Sequence, residues 1–375
     1  MVVGMTSYDV VVAGLGGFGS AAAAHLAARG QRVLGLDRFP PAHAHGASHG
    51  ETRIVRQVYF EGAGYVPLLR RAYELWDRLG ADAGTGPLLT PTGGLFLGRP
   101  GSRVFEGSLA TAREWSLEHE VLDPAEVTRR FPAMRPPAGT AALFEPGAGV
   151  VSPEGAVRAQ LRTAASHGAE LRHDDPVLSW SATAGGVRVT TGRATYDAGS
   201  LVLAPGRWAP ELLADLDLPL RVERRVMHWF DPVDGLEDYR PGRFPVWIWD
   251  RDDGTVPYGV PAVGASSGGV KSSVHFSTVR PAAEWTAPQV AELLAPLLPG
   301  LGDRHLRAVD CSYTLTPDEH FVVGRHPAYD HVLVACGFSG HGFKFTPVIG
   351  EALAQLVVDG TSVHPLALFD PQRFT

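Results

Sequence analysis

The sequence predicts an α/β fold, α+β overall, in which a discontinuous domain is interrupted by a second domain built on a large mixed or antiparallel sheet. Three observations carry this expectation. A strand–turn–helix–strand unit opens the chain, alternating strand and helix patterns return near 156–216 and 332–358, and two stretches of different texture lie between them. The 375 residues exceed one average domain, and 45% hydrophobic with 19% charged residues suit a chain that folds around a sizeable core.

The opening unit is read from local chemistry. Tyr8 to Ala13 contains the apolar run DVVVA, suited to a buried parallel strand, and GLGGFG follows it at once. Ser20 to Arg29 is alanine-rich and stops at Gly30, which predicts a helix; Val33 to Leu36 then forms a second apolar run ending at Asp37. Helical spacing of apolar residues recurs over Val66–Leu79 and Ala156–Ser166. Leu201–Ala204 reads as a strand broken by Pro205 and Gly206, with a helix expected over Trp208–Leu216. Val332–Ala335 predicts a last strand and Pro347–Val358 a last helix, whose first turn tolerates the proline. Pro87–Leu97 and Val222–Thr278, rich in Gly, Thr and aromatic residues, read as sheet and loops. The expected division is 1–88, 146–218 and 306–375 for the discontinuous domain, and 89–145 and 219–305 for the inserted one.

Composition excludes several classes of function. A net charge of −7 and a pI near 6.1 provide no concentrated basic surface, so neither nucleic acid nor an anionic membrane is an expected partner. No run approaches 18 apolar residues, and MVVGMTSY lacks the features of a secretory signal, which points to the cytoplasm. Two cysteines, Cys311 and Cys336, cannot form a disulfide framework. Cys336 lies in the apolar run VLVAC and reads as core, whereas Cys311 sits in a more polar setting. The 15 histidines include no HExxH and no cysteine–histidine ligand spacing, so no metal is expected. His43 and His45 read as loop residues, and Arg221, Arg224 and Arg225 as a solvated basic face.

Gly14, Gly16 and Gly19 form GxGxxG between strand and helix. The first glycine allows the tight turn, the second lets a pyrophosphate approach the backbone, and the third permits close packing. The helix N-terminus then faces the phosphates. Asp37, 18 residues after Gly19, is placed to accept hydrogen bonds from a ribose, and Arg38 beside it is assigned to the same Rossmann-like cofactor site. The fingerprint does not separate NAD from FAD. The absence of a second such unit disfavours a two-nucleotide reductase.

Three longer motifs go further: GASHGETRIVR from Gly46, CSYTLTPDEHFVVG from Cys311 and GFSGHGFKF from Gly337. Together, in this order, they resemble the monomeric sarcosine oxidase family, which includes N-methyltryptophan oxidase and pipecolate oxidase. The resemblance implies a discontinuous FAD-binding domain beside a substrate domain, with FAD attached covalently through Cys311. It implies that Arg56 and Lys344 hold a substrate carboxylate and that His49 and Arg53 lie against the isoalloxazine ring. Lys271 matches the family's oxygen-activating lysine, and His275 and Tyr258 match substrate-site residues. Spacing of four places Lys271 and His275 on one face of a strand. Tyr313, two residues after Cys311, shares its face and is assigned to substrate, while Gly340 and His341 serve the turn near the flavin. The loop between Tyr258 and Lys271, VPAVGASSGG, is longer and glycine-richer than in sarcosine oxidase, a departure from the family pattern beside Tyr258.

The implied activity is oxidation of a small N-methyl or cyclic secondary amino acid by hydride transfer to flavin N5, with O2 reduced to H2O2 and the imine hydrolysed, by a monomeric enzyme. The alternatives are a bulkier amine such as N-methyltryptophan, a pipecolate-like ring, or a flavin-binding protein without amine turnover.

Overall fold

The computed structural model describes residues 8–82, 84–263 and 268–374. Its first unit is β1 (Tyr8–Ala13), α1 (Gly17–Ala28) and β2 (Val33–Leu36). β1 pairs in parallel with β2 on one side and with Thr195–Leu203 on the other. Glu170–Arg172 extends the parallel row beyond β2, and Tyr329–Cys336 extends it beyond Thr195–Leu203. Burial on both faces explains why β1 and β2 read as continuous apolar runs rather than as alternating ones. On one face, α1 packs against the helices Pro153–Ser166 and Thr346–Val358. Its alanines, nearly all buried, let these helices approach closely. Val177–Thr183 and Gly186–Thr191 add an antiparallel flank, and Val322–His326 pairs with Tyr329–Cys336, completing an eight-stranded sheet.

A second eight-stranded sheet runs His305–Leu315, Arg221–Phe230, Val270–Ser277, Thr255–Val260, Val246–Trp249, Gly94–Gly98, Ala141–Glu145, Glu120–Leu122. It is mixed, because Val246–Trp249 lies parallel to Gly94–Gly98 while the other neighbours are antiparallel. A small third sheet joins Arg53–Val55 and Leu89–Pro91 to either side of Gly149–Val151. The α/β architecture with two large sheets is the one expected from sequence.

Two local expectations need correction. A boundary at 306 cuts through the strand His305–Leu315, which is hydrogen-bonded along its length to Arg221–Phe230 and so belongs to the second sheet. The expected helix Trp208–Leu216 is broken into a four-residue helix, Ala209–Leu212, between two 3₁₀ turns. Pro210 is tolerated in the first turn, and the helix ends where Leu213 leaves the helical region at φ −121°. Among the described residues no helix is long and apolar enough to cross a membrane, and no group of three or more His, Cys, Asp or Glu is arranged to hold a metal.

Candidate active site

A continuous cleft runs from the glycine turn after β1 across both large sheets to Lys344. At its first end the three glycines do different work. Gly14 adopts φ +91°, and a Cβ there would stand 2.4 Å from the Ala204 carbonyl oxygen. One at Gly19 would stand 1.7 Å from the Gly14 oxygen. A Cβ on Gly16 would meet only Ser48 Oγ, at 3.6 Å, which leaves this backbone open to the cleft. The first and third glycines thus serve the fold, and the second faces a ligand. Asp37 accepts hydrogen bonds from the Leu15 amide at 2.6 Å and the Phe39 amide at 2.9 Å. A carboxylate has about four acceptor positions, so capacity remains for hydroxyls in the cleft. The Arg38 guanidinium lies 5.2 Å from the centre of the Trp208 ring on the same wall.

Midway along the cleft, Cys311 is buried with its Sγ 3.7 Å from Arg53 Nη2. Arg53 also donates to the carbonyls of Thr52 and Ala47, at 2.8 and 2.7 Å. The Glu154 carboxylate, in the first turn of its helix, accepts from the Gly50 and Glu51 amides at 2.6 and 3.1 Å and fixes the loop that carries Arg53. Lys271, 2% exposed, donates to the carbonyl oxygens of Gly50 and Thr52 at 2.9 and 2.8 Å, and lies 3.1 Å from Thr52 Oγ1. Burial first, and then Arg53, pushes its amine well below the usual lysine range. His49 is buried behind this loop with no partner for Nε2 and does not line the cleft. Desolvation and the neighbouring Arg53 hold it neutral, at about 4, so it adds no cation.

At the far end stands a feature not anticipated from sequence. Arg56, 2% exposed, points both Nη2 contacts at Glu61, 2.6 Å from each carboxylate oxygen, and donates through Nη1 to the Val58 carbonyl at 3.0 Å. Burial alone would raise the Glu61 carboxyl, but Arg56, His341 and Lys344 outweigh it and hold it at about 2. Lys344 donates to the His341 carbonyl at 2.6 Å, and desolvation together with Arg56 lowers its amine to about 7. His341 bridges Tyr59 and, at 2.9 Å, the Glu319 carbonyl, so the turn is held by its ring as well as its backbone. Gly340 is flush against Tyr313, where a Cβ would lie 2.2 Å from Cε2.

The remaining wall is made of His275, Tyr258 and Tyr313. Lys271 and His275 share the strand Val270–Ser277 and both reach the cleft, as their spacing of four requires. His275 Nδ1 lies 3.1 Å from the Tyr313 hydroxyl, and burial keeps the ring neutral. Tyr258 lines the cleft from Thr255–Val260; part of the loop that follows it, 264–267, lies outside the described residues.

A model of the FAD dependent oxidoreductase family matches residues 9–356. The chain belongs to this family. Its relatives include the monomeric sarcosine oxidase of Streptomyces avermitilis, 47% identical over 376 residues and 98% of each chain. The N-methyl-L-tryptophan oxidase of Escherichia coli is 33% identical over 385 residues, covering 98% of this chain and 99% of that one. Among solved structures, NikD, an unusual amino acid oxidase essential for nikkomycin biosynthesis, superposes with a TM-score of 0.83 at 26% identity, over 97% of each chain. The resemblance read from the three motifs is borne out over nearly the whole chain. The cleft suits FAD on its own terms: an open backbone at Gly16, a carboxylate with free acceptor capacity at Asp37, and a thiol in the wall at Cys311.

Three members of this oxidoreductase's cleft region escaped the sequence reading. Glu61 is five residues from Arg56, yet nothing in YFEG marks it as buried. Glu145 accepts from the Gln57 and Val58 amides at 2.8 and 3.2 Å, a contact across 88 residues without a local signature. Arg225, read as solvated, is 5% exposed and lines the cleft. Strand alternation places it on the inner face with Met227, while Arg224 points out.

Proposed function

We propose that the chain oxidises a small secondary amino acid to its imine and reduces O2 to H2O2, with FAD held covalently at Cys311. The observation that carries this reading is the placement, in one cleft, of a thiol, a buried lysine cradled by neutral oxygens and a separate cationic end at Arg56 and Lys344. When bound, FAD supplies a two-electron acceptor that O2 can reoxidise.

The residues divide the remaining work. Gly14, Gly16, Gly19, Asp37 and Arg38 seat the nucleotide. Lys344, with Arg56 held beside it by Glu61, attracts the substrate carboxylate and sets the direction of its C–H bond. Neutral His275, steadied by Tyr313, can accept a hydrogen bond from the uncharged amine, the form from which a hydride can leave carbon. Tyr258 and Tyr313 close the site around the N-substituent. Lys271 and Arg53 would place preorganised donors where negative charge develops on oxygen. The imine leaves for hydrolysis in water. The segments 1–88 and 146–218 with the C-terminal stretch after Leu315 form the cofactor domain in this reading, the second sheet forms the substrate domain, and the enzyme works as a monomer in the cytoplasm.

Peroxide release with sarcosine, N-methyltryptophan, pipecolate and proline tests the activity; we expect sarcosine or a ring amine to lead, and no release with any amine would refute it. Acid-precipitated wild-type protein should stay yellow and Cys311→Ala should not. A colourless wild-type pellet would end the covalent assignment alone.

A further inference from the structure

Arg225 occupies the strand Arg221–Phe230 directly opposite Cys311 in the antiparallel register, and its side chain forms part of the cleft wall. Its side chain is 6% exposed, against 74% for Arg221 and 56% for Arg224. A permanent cation in such a place requires acceptors, because desolvation removes the water that would otherwise serve. Nη1 has two: Glu223 Oε2 at 2.7 Å and the Arg224 carbonyl at 3.1 Å. One face of the guanidinium stacks on Tyr313, 4.6 Å from the ring centre. Nε is buried with no partner at all. Glu223 compensates the charge only in part, since its side chain is 29% exposed and also pairs with Arg221. The guanidinium is therefore held against a tyrosine of the substrate wall with hydrogen-bonding capacity unused.

We propose that Arg225 is a second anion subsite of this cleft, and that the amino acid oxidised carries, beyond its α-carboxylate, a further carboxylate on its N-substituent or side chain. The inference rests on the amino acid oxidase reading above. The two ends of such a substrate would be told apart by their surroundings. The Arg56–Lys344 end already contains the Glu61 carboxylate, and the Arg225 end contains Tyr313 and the half-exposed Glu223. His275 is hydrogen-bonded to Tyr313, the ring on which Arg225 stacks, so the proposed subsite adjoins the substrate wall directly.

The test compares acidic with neutral substrates in the holoenzyme: iminodiacetate against sarcosine, and N-methyl-L-glutamate against N-methyl-L-alanine. We expect Arg225→Gln to lower the acidic-to-neutral ratio of kcat/KM about tenfold, through KM, as loss of a charge-assisted contact should. Glu223→Gln, which removes the competing carboxylate, should raise the same ratio severalfold, a change that poor folding would not produce. Unchanged ratios in both variants would overturn the proposal. So would an equal loss of kcat on all four substrates with an altered flavin spectrum, which would put Arg225 against the cofactor instead. Should no amine be oxidised, the oxidase reading fails, and glutarate binding, followed by flavin absorbance, still decides the subsite. Weakening of about tenfold in Arg225→Gln supports it, and equal affinity refutes it.

Discussion

Lys271 and Lys344 are both buried lysines in one cleft, and their surroundings differ in kind. Lys271 is ringed by neutral oxygens of Gly50 and Thr52, on a loop that Glu154 locks from beneath. Lys344 has one carbonyl, that of His341, and stands in the field of the Arg56–Glu61 pair. The first arrangement is a fixed donor, already oriented by its acceptors, although burial and Arg53 lower its amine as well. The second is an adjustable one, with donor capacity left over and a pKa near working pH. A preorganised donor suits a transient anion that needs no lasting bond, whereas spare donors suit a ligand that must be held and released.

Breaking the first arrangement should have the largest effect. Lys271→Met is expected to slow reoxidation by O2 on the order of 10²–10³-fold, the usual effect of deleting one preorganised electrostatic group, while anaerobic reduction by substrate changes much less. Stopped-flow measurement of the two half-reactions separates them; equal losses would erase the distinction between the lysines.

The second arrangement predicts a pH dependence. The Lys344 amine, lowered to about 7, carries its charge below that pH and loses it above. Affinity for a carboxylate that cannot be oxidised, such as propionate, should therefore weaken by up to about tenfold per pH unit above 7, until the pKa of the complex is reached. Lys344→Met should bind weakly at every pH and abolish the slope. A slope surviving in the variant would assign the titration to another group.

The same contrast explains what was legible in the sequence. The nucleotide end is built by a short, continuous stretch, Gly14 to Asp37, whose demands on turn, helix start and strand end leave marks in residue type. Lys271 and His275 were legible as a pair because one strand carries both. Partners were not. Arg56 was recognisable within GETRIVR, but that its fork is filled by Glu61 depends on how residues 57–60 turn back. Arg225 looked like surface because the three arginines of RVERR read as a solvated basic face, and only the pairing of its strand with that of Cys311 turns that residue inward. His49 shares a motif with Arg53 yet faces away, since neighbours in a loop have no fixed period. The helix expected over 208–216 stops at Leu212, and apolar spacing gave no warning of the break at Leu213.

Glu145 offers the finest test of the Arg56 end. Its two oxygens take the Gln57 and Val58 amides, and the Val58 carbonyl in turn takes Arg56 Nη1, so a carboxylate of the second sheet positions the arginine through one residue, Val58. Burial raises the Glu145 carboxyl from 4.5 to about 7, against the pull of those amides and of Arg56. A folded pKa above the unfolded one means that this group's stabilising contribution is complete below about pH 4.5 and is lost as pH rises through 7, on the order of a few kcal/mol. Glu145→Gln keeps the shape but cannot ionise, so its urea midpoint should vary less between pH 5 and 8 than that of the wild type. One amide N–H would then face the Gln NH2 group instead of an oxygen, and KM should rise a few-fold with kcat little changed. If the variant keeps the wild-type pH dependence, Glu145 is not the titrating group; if kcat falls more than KM rises, its role lies beyond positioning Arg56.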